Sequence, residues 1–179
     1  MNDFFENLPI DIDSLPETEA SDFKSLNPAY KKVTLISWGI FYFILLIGPS
    51  IIFLFTDEIK GEILYYLVSI VTALVLWILN IIWVNKAFKK KKYVLRQRDL
   101  IYMNGLLWEN KITIPFNRIQ HAEVKQGPLD RAFKLHSLKV FTAGGSSSDL
   151  SIPGLREDEA TKLKDFILNK IEAEEDVRD

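Results

Sequence analysis

Five lysines crowd one short stretch of this chain: Lys86, Lys89, Lys90, Lys91 and Lys92. Beside a membrane, each ammonium group is worth about 1 kcal/mol toward anionic lipid. They are therefore candidate lipid head-group contacts, or simply a topology signal. Arg118, His121 and Arg131 form a second polar set, a candidate contact for a partner or ligand. A guanidinium fork suits phosphate or carboxylate. Arg131 has an equally good structural use, pairing with Asp130 or Glu123 to pin a short helix. His121 and His136 are the only histidines, without H-x-x-x-H spacing, and a metal site needs further ligands. The run 144–149, Gly-Gly-Ser-Ser-Ser-Asp, lacks the G-K-[ST] of a phosphate loop and reads as a hairpin connection. There is no cysteine, hence no thiolate chemistry and no disulfide framework. With no acid–base pair, metal set or activated nucleophile legible, the expectation is a protein without catalytic residues, metal or cofactor. It is also expected to have no nucleic-acid partner.

The elements that carry these residues are unusual. Residues 33–55 and 63–84 are two apolar runs without a charge, joined by the mostly acidic stretch 56–62. Eighteen or more apolar residues make a candidate span, and at ~1.5 Å per residue each run reaches roughly 33–35 Å, enough for a hydrocarbon core of about 30 Å. The lysines orient the pair. Lys31 and Lys32 precede the first run and the five lysines follow the second, whereas the loop has Lys60 alone. Positive residues stay inside, so both termini are expected in the cytoplasm, in a multi-pass protein of the cell membrane. The absence of ionisable groups within the runs argues against a self-sufficient ion path. Gly48 and Pro49 predict a kink, and Asn80 is the best candidate for a polar helix–helix contact. These three are the expected helix-contact positions. The exposed helix surface also makes a homo-oligomer plausible.

The flanks differ from this centre. Residues 1–30 hold seven acids against Lys24 alone, with apolar residues interleaved, a pattern of a disordered leader. Residues 93–179 are near balance, with 13 Lys/Arg and 14 Asp/Glu. Within them, short alternating runs separated by turn residues predict antiparallel strands. The longest alternation places Leu106, Trp108, Ile112 and Ile114 on one parity, the expected buried face of a single strand. Residues 128–133 predict a short helical turn. From 156 to about 174 a stripe of Ala160, Leu163, Phe166, Ile167 and Ile171 predicts a helix, with Glu157, Asp158 and Glu159 in the first turn where the dipole favours anions.

The stretch Ile114-Pro-Phe-Asn-Arg-Ile-Gln-His121, then Val124-Lys-Gln-Gly-Pro-Leu-Asp-Arg131, Leu138-Lys-Val-Phe-Thr-Ala-Gly-Gly145 and Ile152-Pro-Gly-Leu155 resembles the bacterial PH-like family, also called the membrane-flanked domain. Two spans followed by one such domain resemble its YdbS-like branch. The resemblance covers about residues 27–172. It implies a PH-like fold, a membrane location and a binding or scaffolding role, with no reaction or ligand attached. It also implies a membrane protein partner, such as a larger PH-like relative.

The expected fold class is thus α+β: a two-helix transmembrane hairpin, then a small PH-like antiparallel β-barrel or sandwich, capped by a C-terminal α-helix. The expected organisation is a leader over 1–30, the hairpin over 31–92 and the cytoplasmic domain over 93–175. The expected function is a non-enzymatic adaptor that docks protein partners at the cytoplasmic face. An anionic-lipid sensor and an accessory subunit of a transport or export complex are the alternatives. Membrane lipids are partners in each.

Overall fold

The structure is a computed structural model that describes residues 22–55, 63–143 and 149–175, except for the side chains of 46–55, 63, 65, 66 and 173–175. The chain opens with a two-residue strand, β1 (Lys24–Ser25), and enters helix α1 (Pro28–Phe55). The local sequence explains that start. The Asn27 side chain accepts a hydrogen bond from the Ala29 N–H at 2.9 Å, and Pro28 takes the first helical position, where no N–H is needed. Helix α2 (Ile63–Lys90) returns beside α1, closing with Lys89 and Lys90 in its last turn, where cations complement the dipole. Trp83 and Val84 share a crevice with Thr34 and Trp38, and Trp77 lies with Gly39 and Phe43, so the two helices run antiparallel.

One residue separates α2 from strand β2 (Lys92–Leu95). Strands β3 (Asp99–Asn104) and β4 (Asn110–Pro115) complete a meander in the order β1-β2-β3-β4, all antiparallel. A 3-10 turn at Phe116–Arg118 leads to the second sheet, made of β5 (Ile119–Lys125), β6 (Leu135–Thr142) and β7 (Leu150–Arg156) in that order. A short helix, α3 (Pro128–Ala132), bridges β5 and β6. Pro153 is tolerated in β7 because this is an edge strand, where no ladder partner misses its N–H. Helix α4 (Glu157–Glu175) follows at once.

The two sheets and α4 share one core. Tyr93, Leu100, Tyr102 and Ile114 from the first sheet meet Leu138, Val140, Ile152 and Leu155 from the second, with Phe116 between them. The predicted α4 stripe closes this core: Ala160, Leu163 and Ile167 are buried, and Phe166 sets its ring against Phe116 edge-on at 5.9 Å.

Four expectations change. Of the barrel or sandwich expected, the closed barrel is not formed: the strands make two sheets, because the chain leaves the first ladder at Pro115 and turns through the 3-10 segment. Residues 106–114 do not form one strand. Gly105 sits at φ +98°, where a Cβ would lie 1.8 Å from the Trp108 carbonyl oxygen, so the chain turns there and β4 begins only at Asn110. Ile112 and Ile114 keep their inward parity, whereas Trp108 is 82% exposed. Among the described residues one helical stretch, Leu67–Lys90, is long and apolar enough to cross a membrane, not two. Finally, part of the supposed leader is built into the domain. Lys24 and Ser25 pair with Tyr93 and Lys92, and Leu26 is 2% exposed in the core. The helix pair is therefore inserted between the first two strands of the domain. Residues 1–21 and the loop 56–62 lie outside the described residues, as do the side chains of Gly48 and Pro49 in α1, where the kink was expected.

The base of the helix pair is clasped by β7. The Asn27 N–H donates to the Gly154 carbonyl at 3.1 Å. Gly154 has φ +67°, and a Cβ built there would lie 2.5 Å from Cβ of Tyr30. Lys91 at the end of α2 lies over the Tyr30 ring at 5.0 Å and reaches its hydroxyl at 3.5 Å. Gly154→Ala should therefore lower stability by about 1–3 kcal/mol through combined backbone strain and overlap. Thermal unfolding of the detergent-purified protein should show a lowered midpoint, and an unchanged midpoint would mean that the contact is loose.

Candidate functional site

A groove of about 520 Å³ opens between β2 and α4. Its apolar lining comes from Tyr93, Val94, Leu95, Leu163 and Phe166, and its rim carries Lys24, Arg156 and Lys162 together with Asp22 and Asp158. The geometry follows from β1, which is only two residues long and pairs with Lys92 and Tyr93 alone. The β1 pairing thus stops short of Val94 and Leu95, at the point where α4 stands off the sheet. An apolar trough along a sheet edge with charges of both signs around it is suited to an extended peptide segment, which would add backbone hydrogen bonds to the edge and place alternate side chains in the trough.

A polar triad closes one end. The Glu159 carboxylate accepts a hydrogen bond from the Tyr93 hydroxyl and pairs with the Lys24 ammonium. Burial alone disfavours the charged carboxylate, but the hydrogen bonds from Lys24 and Tyr93 outweigh it and hold Glu159 below the usual carboxylate range. The same arrangement, burial first and then the bond to Glu159, pushes the Tyr93 hydroxyl far above an ordinary phenol. Burial does the same to Tyr102 in the core.

The sequence-derived candidates are scattered rather than gathered. Lys89, Lys90 and Lys92 line a crevice of about 340 Å³ with Met103, Asn104, Gly105 and Glu109, and Lys90 is paired with Glu109. Lys91 faces the other way, into a crevice of about 140 Å³ between the helices that also holds Lys31. Lys86 stands one turn earlier on α2. Arg118 ends the 3-10 turn before β5, and Arg131 lies in α3 beyond the far end of that strand, so the two do not share a site. Both are exposed. Asp130 is occupied in accepting from the Gly127 N–H at 3.3 Å rather than in pairing with Arg131. His121 stacks on Phe141 at 4.2 Å with Glu123 3.7 Å away. Asn80, on α2, has a buried amide oxygen without a hydrogen-bond partner among the described residues. No group of three His, Cys, Asp or Glu that could hold a metal ion occurs among the described residues. The groove itself escaped the sequence reading. Phe166 beside the buried stripe hinted at an extra apolar face on α4, but nothing local links Lys24 to Glu159.

The depressed Glu159 carboxyl has a definite sign. Its stabilising effect is present above the unfolded value of about 4.3 and is lost as the pH falls through the lower folded value. Glu159→Gln should lower the unfolding midpoint at neutral pH. The deficit relative to the parent should shrink as the pH drops below about 4. A deficit independent of pH in melting curves would remove the ion pair from this account.

Comparison with known proteins agrees with this architecture. The family model described as "Bacterial PH domain" matches residues 31–171. The UPF0699 transmembrane protein YdbS of Bacillus subtilis (strain 168) is 30% identical over 76 residues, a stretch that covers 42% of this chain and 46% of that protein. The chain thus matches less than half the length of that relative. No solved structure matches it. A meander of four strands, a second sheet of three and a closing helix, matched over most of its length by one family, make this chain a member of the bacterial PH domain family.

Proposed function

We propose that this protein is a non-enzymatic membrane scaffold. Its helix pair spans the membrane as a hairpin with both termini in the cytoplasm, and its PH-like domain docks a protein segment in the groove between β2 and α4. The observation that carries the docking role is the short β1, which leaves Val94 and Leu95 beyond its pairing beside an apolar trough.

Several features support the membrane part. The apolar part of Leu67–Lys90 is only 11% buried within the protein, so its side chains need an apolar surrounding other than the protein. Exposed large apolar residues continue on α1 at Ile36, Ile40, Phe43 and Ile44. The Bacillus subtilis relative is itself called a transmembrane protein. Lysines at both feet of the hairpin supply the inward orientation.

A membrane protein partner, a larger PH-like relative or a second copy, extends this reading, because the exposed apolar faces of α1 and α2 leave helix surface for packing against it. The alternative head-group sensor is less well supported, because Lys90 and Lys91 are already engaged by Glu109 and Tyr30.

The orientation is tested in a chain that has no cysteine of its own. A thiol introduced by Glu58→Cys should react with an impermeant maleimide on intact cells, and one introduced by Lys139→Cys should react only after lysis. The reverse pattern would invert the topology. Docking is tested by a photo-crosslinking amino acid at Phe166, in the groove, and at Thr161, exposed on α4 outside it. A discrete adduct from native membranes is expected at the first position and not at the second. Equal labelling at both would dismiss the groove as the docking surface.

A further inference from the structure

The turn between β3 and β4 exposes two large apolar side chains. Leu107 is 72% exposed and Trp108 82%, and among the described residues the other exposed large apolar side chains lie on α1 or α2. Nothing in the packing of the domain requires them there. The turn is nevertheless built with care. Gly105 at φ +98° brings the chain back so closely that no side chain would fit beneath the Trp108 carbonyl. Glu109 ties the other side to Lys90.

The topology decides where this turn points. Strand β2 leaves α2 at Lys92, β3 returns antiparallel to it, and Lys92 pairs with Met103. The last pair of the hairpin is Asn104 with Asn110. Residues 105–109 therefore project past Lys92, back to the level of Lys90 in the final turn of α2. From Val84, the last apolar residue before the lysines, to Lys90 is about 9 Å along a helix. The head-group layer is roughly 5–8 Å thick on each side of the bilayer, so Lys90 stands at its outer edge and the turn beside it is within reach of the head groups. Lys89, Lys90 and Lys92 line the crevice beside it.

We propose that the β3–β4 turn is an interfacial membrane anchor. Leu107 and Trp108 seat at the head-group boundary of the leaflet from which α2 emerges, and the exposed Lys89, beside the Lys90–Glu109 pair, faces anionic head groups. The occupant is the lipid surface. Continuity with α2 argues for it, as does the residue chemistry: tryptophan prefers that depth, and an apolar tip ringed by lysine matches an anionic interface. This inference rests on the reading that α2 spans the membrane. It adds a second attachment point, which sets the tilt of the domain and the direction in which the groove faces.

The full-length chain, reconstituted in vesicles of phosphatidylethanolamine and phosphatidylglycerol, allows a direct test. Single thiols are introduced by Leu107→Cys, by Val71→Cys on α2 and by Thr161→Cys on α4, and each is labelled with the fluorophore NBD. Quenching by lipids carrying a shallow or a deep doxyl group is then measured. The Leu107 position should show blue-shifted emission quenched by the shallow label, Val71 quenching by the deep label, and Thr161 neither. Quenching at Val71 with water-like emission at Leu107 would overturn the anchor and leave the span standing. So would a blue shift at Leu107 that no doxyl lipid quenches, which would mean that protein covers the turn. A Val71 probe beyond the reach of both labels would overturn the span and the anchor together.

Discussion

Everything in this molecule depends on how a pair of long apolar helices is joined to a small domain without linkers. The chain passes from β1 into α1 through Leu26 and Asn27, and from α2 into β2 through Lys91 alone. Both passages are held. Leu26 is in the core, Asn27 is bonded to Gly154, and Lys91 lies over Tyr30, whose ring is pressed against Gly154. Two short, fixed crossings restrict rotation at either foot of the pair. A helix that is fixed in a bilayer therefore fixes the domain as well.

The insertion point has further consequences for the domain. The helix pair occupies the connection between β1 and β2, so the chain enters the helix cap at Asn27 two residues after β1 ends. The shortness of β1 is what leaves Val94 and Leu95 at the groove. The same insertion puts the β3–β4 turn next to the foot of α2, because β3 runs back along β2. The exposed turn thus follows from the insertion, whereas the groove follows from β1 beginning only at Lys24, which leaves Val94 and Leu95 without a β1 partner. Lys24, held by Glu159 on α4, fastens the short strand that would otherwise have little ladder to keep it in place.

Much of this was legible along the chain. Long uncharged runs, lysine asymmetry and the acidic first turn of α4 are local or periodic signals, and the buried stripe Ala160, Leu163 and Ile167 appears where its spacing put it. The strand alternation failed at residues 106–108, where parity counting continued a pattern through a turn. The positive φ at Gly105 breaks the pleat, so Trp108 is outside although its parity matched Ile112 and Ile114. The polar candidates were the least legible. Arg118 and Arg131 are close in sequence yet lie at opposite ends of β5, whereas Lys24 and Glu159 are remote in sequence and bonded in space.

The family, the apolar helices, the strand-rich second half and the closing helix are written locally in the chain, because each rests on composition or on a periodicity that neighbouring residues carry. That Lys24, Ser25 and Leu26 belong to the domain, that the strands divide into two sheets and that a groove opens between β2 and α4 emerges only on folding. Those features depend on which distant segments are brought into register, and that follows from burying one shared core rather than from any local pattern.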